Sequence, residues 1–343
     1  MDFNQALARF IPQIEVEMRR LMAPAAGKLD AFYGMMHYHL GWLDEALQPV
    51  KVSSGKLLRP VFTLLCCQAA GGDPEQALPA AAAVELTHNF SLIHDDIQDQ
   101  SRFRRGRLTV WAIWGEAQAI NAGDSLFVLA RNALLKLGEG GTPPPTILEA
   151  VDRLDETCLR LCRGQFLDMS FEQSNAVSQE AYLEMIEGKT ATLLACAGYL
   201  GGLIARNDHR QAQVFWDLGL ALGLAFQIQD DWLGIWGDEA LTGKPTADDL
   251  RRRKKSLPVV CALNQTETPA DRFRALYSAP ALSEGDIAEA IALLEQLGAK
   301  TYTEAMARRY IERAEAALGR IETANETQAA LREMAHFLIK RAH

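Results

Sequence analysis

The stretch Ala80-Ala-Ala-Ala-Val-Glu-Leu-Thr-His-Asn-Phe-Ser-Leu-Ile-His-Asp-Asp-Ile-Gln-Asp99 is largely apolar as far as Ile93 and then carries three aspartates in five positions. A run of this length without glycine or proline predicts a buried helix with an acidic end. On that helix Asp95 and Asp99, at i and i+4, share one face. Like charges at this spacing destabilise a bare helix by about 0.2–0.5 kcal/mol per pair, so a buried cluster makes sense with cations between the carboxylates. Hard oxygen ligands favour magnesium, which keeps several waters and is completed by phosphate oxygens of a substrate. Taken alone, the motif also reads as a solvated acidic helix end.

A second acidic ending strengthens the first reading. Phe226-Gln-Ile-Gln-Asp-Asp231 closes the apolar stretch 218–228, and two such ends can act on one set of ions. Downstream stand Lys244 and then Asp248-Asp249-Leu-Arg-Arg-Arg-Lys-Lys255, a switch from acid to base. Arg104, Arg105 and Arg107 follow the first aspartates, Lys56 and Arg59 lie in Gly55-Lys-Leu-Leu-Arg-Pro60, and Lys189 lies in Gly188-Lys-Thr190. Guanidinium forks and ammonium charges are what a diphosphate requires. Gly188-Lys-Thr190 is no nucleotide P-loop, because Leu183 stands where that motif needs glycine. His88 precedes Asp95 by seven residues, about two helical turns, and so shares its face.

The rest of the chain is helical in pattern. Phe3, Leu7, Phe10, Ile14, Met18 and Leu21 recur at helical spacing, as do Met306, Tyr310, Ala314 and Leu318. Pro12 is expected to kink or split the first helix. Loops are expected at 70–74, 138–146, 237–245 and 265–269; none is long enough to link domains, so 343 residues read as one all-α domain, 1–343. The formal charge of −9 excludes a basic nucleic-acid groove, so no nucleic acid partner is expected. The longest apolar stretches, 190–205 and 218–228, fall short of the roughly 18–20 residues of a bilayer crossing, so no membrane span is expected. Asp2, Glu15 and Glu17 interleave with Arg9, Arg19 and Arg20, unlike a secretory or transit signal, and a cytoplasmic location is expected. The six cysteines (Cys66, Cys67, Cys158, Cys162, Cys196, Cys261) then read as structural thiols.

In order along the chain, these motifs resemble those of the trans-isoprenyl diphosphate synthases, the polyprenyl synthetase family. Gly55-Lys-Leu-Leu-Arg-Pro60 resembles its GKxxRP element, 85–99 its first aspartate-rich motif, and Arg104-Arg-Gly-Arg-Leu-Thr109 its RRGxPT segment. Asn121-Ala-Gly-Asp124, Gly164-Gln165 with Asp168, Lys189-Thr190 and Phe226-Gln-Ile-Gln-Asp-Asp231 complete the series. The resemblance implies a single-domain helical bundle around a central cavity. It implies Mg2+ as cofactor, three ions with substrate bound, held by Asp95 and Asp99 on one side and Asp230 on the other, with Asp96 and Asp231 in support. Arg104, Lys189, Lys244 and Lys254 are implied at the allylic diphosphate, Lys56, Arg59, His88 and Arg105 at isopentenyl diphosphate, and Thr190 and Gln227 at the developing allylic cation.

The implied activity is head-to-tail (1'-4) condensation of isopentenyl diphosphate with dimethylallyl, geranyl or farnesyl diphosphate, in a homodimer. Phe90 with Ser91, five and four residues before Asp95, resembles the tunnel floor of geranylgeranyl (C20) synthases. Farnesyl (C15) synthesis and a non-catalytic regulatory subunit are the alternatives. A terpene cyclase is disfavoured by Lys56, Arg59, Arg105 and the Asp230-Asp231 pair. The pattern departs from the family at Gly234, where a third aspartate is common, and at Leu57 and Leu108, where arginine and proline are common. A weakened second acidic wall and a weakened isopentenyl site are expected from these departures.

Overall fold

Helix formation starts with a reciprocal cap: the Asp2 carboxylate accepts from Gln5 N–H at 2.8 Å, and Gln5 Oε1 accepts from Asp2 N–H at 3.0 Å. Helix α1, Phe3–Leu21, then runs unbroken through Pro12, which corrects the split expected there. Proline in a helix interior costs about 3 kcal/mol. Against this, Phe3, Phe10, Ile14 and Met18 are all buried along one face, each contributing about 1.5–3 kcal/mol. Pro12 itself is exposed, so the carbonyl it leaves unpaired faces water.

The computed structural model describes residues 2–23, 31–50, 52, 55–172, 174, 176–238, 246–279, 281–322 and 327–340. Lys244, expected at the site, lies outside the described residues. After α1 come α2 (Ala31–His39), α3 (Leu58–Ala69) and α4 (Leu78–Gln98), then a hairpin of β1 (Phe103–Arg104) and β2 (Arg107–Leu108). Among the described residues these are the only paired strands, with Phe103 opposite Leu108 and Arg104 opposite Arg107. Helices α5 (Val110–Trp114), α6 (Glu116–Leu135), α7 (Pro144–Glu172) and α8 (Gln179–Ile186) follow. A π-turn, Glu187–Ala191, leads into α9 (Thr192–Arg206) and α10 (His209–Trp236). The last six are α11 (Asp248–Arg251), α12 (Leu257–Leu263), α13 (Thr268–Tyr277), α14 (Glu284–Gln296), α15 (Ala299–Gly319) and α16 (Thr327–Lys340). The fold is all-α. Two prolines of the expected loop 138–146 instead open α7, where a missing N–H costs nothing.

Packing divides the chain into two compact units. The first comprises Met1–Asp155, Cys196–Phe215 and Ile321–Leu331, the second Glu156–Ala195, Trp216–Arg320 and Arg332–His343. The core of the first is built on Phe10, Phe62, Leu64, Leu65 and the alanine-rich face of α4 from Ala80 to Val84, all fully buried. In the second, Tyr182, Ile186, Leu224, Ile228, Leu257 and Val260 form one cluster, and Ile235, Leu250, Phe273 and Leu294 belong to another. None of the described helices is long and apolar enough to cross a membrane. The cysteines are free thiols; five are buried, while Cys162 is exposed on α7, where Leu159 and Phe166 are exposed as well.

Candidate active site

In the first unit, Asp95 and Asp96 lie in the last turn of α4 and Asp99 caps it, its N–H bonded to the Asp95 carbonyl at 2.8 Å. The β1–β2 hairpin brings Arg104 onto this end: its Nη2 donates to Asp95 Oδ2 at 3.1 Å and its Nε to Asp96 Oδ1 at 2.8 Å. Asp96 is buried, and its Oδ2 accepts no hydrogen bond from the described residues. Burial pushes its carboxyl up to about 6 despite the opposing charge of Arg104.

The hairpin turn is Arg105-Gly106, both at positive φ (52° and 75°), the type I′ geometry that suits a two-residue loop. At this apex the Arg105 guanidinium lies against Gly55; a Cβ on Gly55 would sit 2.9 Å from Arg105 Nη2. The glycine of Gly55-Lys-Leu-Leu-Arg-Pro60 is thus required by close approach of an arginine from the next motif. Arg107 is committed to structure: it donates to the Tyr38 carbonyl at 3.0 Å and the Leu43 carbonyl at 2.7 Å, and lies over the Tyr38 ring.

Glu85 was not assigned a role by the sequence reading. Only 6% exposed, it accepts from Asn89 Nδ2 at 2.8 Å. Burial raises its carboxyl, while Asn89, Arg59 and Arg105 act to keep it charged. It is the buried counter-charge to both guanidiniums, whose own acidity is increased by burial and opposed by Glu85. His88 is held far below its ordinary value by burial and then by Arg59 and Arg105, so it offers a hydrogen bond and no charge. His39, also missed, is pushed down to about 3 by burial and by Arg104 and Arg105. Lys56 is exposed. Phe90 packs edge-on against Phe127 of α6 at 5.2 Å, and Ser91 Oγ donates back to the His88 carbonyl at 2.7 Å. Phe127 had no motif to reveal it.

In the second unit, Asp230 and Asp231 lie inside α10, which continues to Trp236, so this pair is not at a helix end as expected. Asp230 is half-buried. Asp231 is 1% exposed and fully engaged: it accepts from the Tyr182 hydroxyl, from Leu257 N–H at 2.8 Å and from Gln227 Nε2 at 3.1 Å. Lys254 Nζ stands 3.9 Å from it. Burial works against the Lys254 charge, but Asp231, Asp249 and Asp230 outweigh it and hold the ammonium protonated. The π-turn directs Lys189 and Thr190 to different partners: Lys189 Nζ donates to Asp168 Oδ2 at 2.5 Å, and Thr190 Oγ1 to Gln227 Oε1 at 2.9 Å. Gly164 admits this turn, since a Cβ there would lie 2.2 Å from Lys189 N.

Among the described residues no three His, Cys, Asp or Glu side chains are gathered tightly enough to hold a metal by themselves. Mg2+ is held through one or two carboxylates, waters and substrate phosphates. The oxygen-only donors Asp95 and Asp99, one helical turn apart, fit such an ion.

A family model described as polyprenyl synthetase matches residues 41–294. The chain belongs to the polyprenyl synthetase family. Curated relatives from Mycobacterium tuberculosis include a geranylgeranyl diphosphate synthase, 43% identical over 83% of this chain and 80% of that one. Another, a (2E,6E)-farnesyl diphosphate synthase, is 38% identical over 90% of this chain and 85% of that one. The crystal structure of a polyprenyl synthetase from Streptomyces coelicolor A3(2) superposes with a TM-score of 0.90 at 38% identity, covering 98% of this chain and all of the other. As a polyprenyl synthetase the chain is an enzyme, a prenyltransferase with trans-prenyl diphosphate synthase activity.

Proposed function

We propose that this polyprenyl synthetase condenses isopentenyl diphosphate with dimethylallyl, geranyl and farnesyl diphosphates and releases geranylgeranyl diphosphate. The observation that carries the reading is the pair of basic groups in the first unit: Arg104 on Asp95 and Asp96, and Arg59 with Arg105 around Glu85. Two separate cationic groups serve two diphosphates.

Mg2+ ions held by Asp95, Asp99 and Asp230 would supply charge neutralisation for the leaving diphosphate. Arg104, Lys189 and Lys254, with Lys244, orient that group, so the allylic C–O bond breaks. Arg59, Arg105, Lys56 and the neutral His88 hold isopentenyl diphosphate with its double bond aimed at the cation. Thr190 and Gln227 offer oxygen lone pairs to that cation. The new C–C bond forms, and the lost proton goes to the released diphosphate.

The C20 product rests on Phe90, 6% exposed and braced by Phe127, with only Ser91 beside it. The protein works as one domain, in the cytoplasm, and as a homodimer. Exposed Ile120, Val128 and Leu135 at helical spacing on α6, and Leu159, Phe166 and Met169 on α7, support self-association. The test is a product assay with purified protein, Mg2+, labelled isopentenyl diphosphate and each allylic primer in turn. A C20 product is expected, with Phe90→Ala giving longer chains; a C15 product replaces the chain-length assignment, and no condensation overturns the function.

A further inference from the structure

The Gln227 amide is bonded at both ends. Thr190 Oγ1 donates to its Oε1 at 2.9 Å, and its Nε2 donates to Asp231 Oδ1 at 3.1 Å, one turn further along α10. Close approach of the π-turn makes the first bond possible: a Cβ on Gly223, one turn before Gln227, would lie 2.5 Å from Ala191 Cα. An amide has a negative and a positive end of nearly the same shape, so its neighbours decide which way each end faces. Thr190 does not decide, because a hydroxyl both donates and accepts. Asp231 does. A carboxylate only accepts, and this one meets further donors: the Tyr182 hydroxyl and Leu257 N–H (2.8 Å) on its Oδ2, and Lys254 Nζ 3.9 Å from its Oδ1. Turned over, the amide would set its oxygen against a carboxylate oxygen.

We propose that Asp231 is a positioning residue: held by Tyr182 and Leu257 N–H, it fixes the Gln227 amide with the carbonyl oxygen toward Thr190 and the developing allylic cation. This rests on the reading above that Thr190 and Gln227 face that cation, and it explains why the negative end of Gln227 is the one presented. Asp231 and Tyr182 are buried, while Gln227 and Thr190 are half-buried. The carboxylate stays enclosed, and the two more open groups carry its effect outward. A dipole already aligned needs no reorganisation as charge develops. A reversed dipole would oppose the cation with an NH2 group.

Asp231→Asn tests this through chemistry, since it keeps the size of the side chain. The backbone N–H of Leu257 can only donate, so the asparagine oxygen stays on it, its NH2 group faces Gln227, and the Gln227 amide turns over to accept. The full-length unaltered protein, Asp231→Asn, Tyr182→Phe, Gln227→Leu and the double change D231N/Q227L are compared for kcat, for the KM of dimethylallyl diphosphate, and for competitive inhibition by two unreactive diphosphates of one shape. Dimethylaminoethyl diphosphate carries a positive charge where the allylic cation does, and isoamyl diphosphate is neutral there. Asp231→Asn is expected to lower kcat on the order of 10²-fold with KM little changed, and to cut the preference for the ammonium compound about tenfold. Tyr182→Phe, which removes one hydroxyl, is expected to move both readings the same way by a smaller factor, and it gives the answer if Asp231→Asn does not fold. With no amide left to turn, the double change is expected to match Gln227→Leu in its inhibitor preference. An unchanged preference in Asp231→Asn and Tyr182→Phe, or a double change in which the two losses simply add, overturns the inference. Gln227→Leu with unaltered kcat and preference overturns the cation-facing role of Gln227 along with it, and absence of condensation in the unaltered protein overturns the proposed function itself.

Discussion

The two acidic regions are built from the same pair of residues and treat them differently. In the first, Asp95 keeps part of its surface open and Asp99 stands at an exposed helix cap, while Arg104 neutralises the end from a hairpin. In the second, Asp231 is enclosed and spends both oxygens on Tyr182, Gln227 and Leu257. Adjacent aspartates are therefore placed differently: Asp95 and Asp230 are half-buried, while Asp231 is tied to Tyr182, Gln227 and Leu257. Asp96 is the structural member of the first pair and Asp231 of the second, but only Asp231 is saturated. The same sequence motif thus keeps Asp95 and Asp99 open to solvent in one place and pairs a half-buried Asp230 with an enclosed Asp231 in the other.

This contrast can be broken most sharply at Asp99. Asp99→Ala is expected to lower kcat on the order of 10³-fold in steady-state assays at saturating magnesium, with little change in stability. Asp231→Ala is expected to do the reverse in emphasis, removing about 3 kcal/mol of stability in urea titrations because the Tyr182 hydroxyl, Leu257 N–H and Lys254 lose their shared partner. If Asp231→Ala folds normally and fails only in catalysis, the division of labour is wrong. Glu85→Gln is expected to raise the KM for isopentenyl diphosphate about tenfold, some 1.4 kcal/mol, through loosened Arg59 and Arg105. The KM for the allylic primer should stay put; a parallel rise would mean that Glu85 acts on the whole unit.

Acid sharpens the comparison, because His37, His39 and His88, whose imidazoles burial depresses, all lie in the first unit. Burial and then the Arg19 charge lower His37 from 6.5 to about 4. The unfolded imidazole takes its proton first, so the stability it contributes is complete above 6.5 and declines as the pH falls toward 4. The loss is about 2 kcal/mol at pH 5. Protection factors in α2, corrected for the intrinsic exchange rate, should therefore fall between neutral pH and about pH 5, and His37→Gln should flatten the response.

The helical class, the ordered motifs and the aspartate pairs were legible because each depends on residues close in sequence. What escaped depends on packing between elements. The unbroken α1 could not be foreseen at Pro12, since the burial of Phe10, Ile14 and Met18 that overrides it is tertiary. Glu85 looked like one polar residue in an apolar run; its role exists only where Arg59 and Arg105 converge. The packing of the Asp249 carboxylate against Gly234, fifteen positions away, leaves no local pattern in the sequence. Phe127 likewise becomes meaningful only against Phe90.

The π-turn Glu187–Ala191 sets the phase between two helical segments. Each residue in an α-helix advances the chain by about 100°. Deleting one residue from the turn would restore ordinary winding and rotate what precedes it by that angle relative to α9. Lys189 and Thr190, now addressed separately to Asp168 and Gln227, could not both keep their partners. The extra residue works like an offset tooth in a gear train, letting neighbours in the sequence mesh with two different helices, and it makes this short segment intolerant of length change even where it tolerates change of side chain.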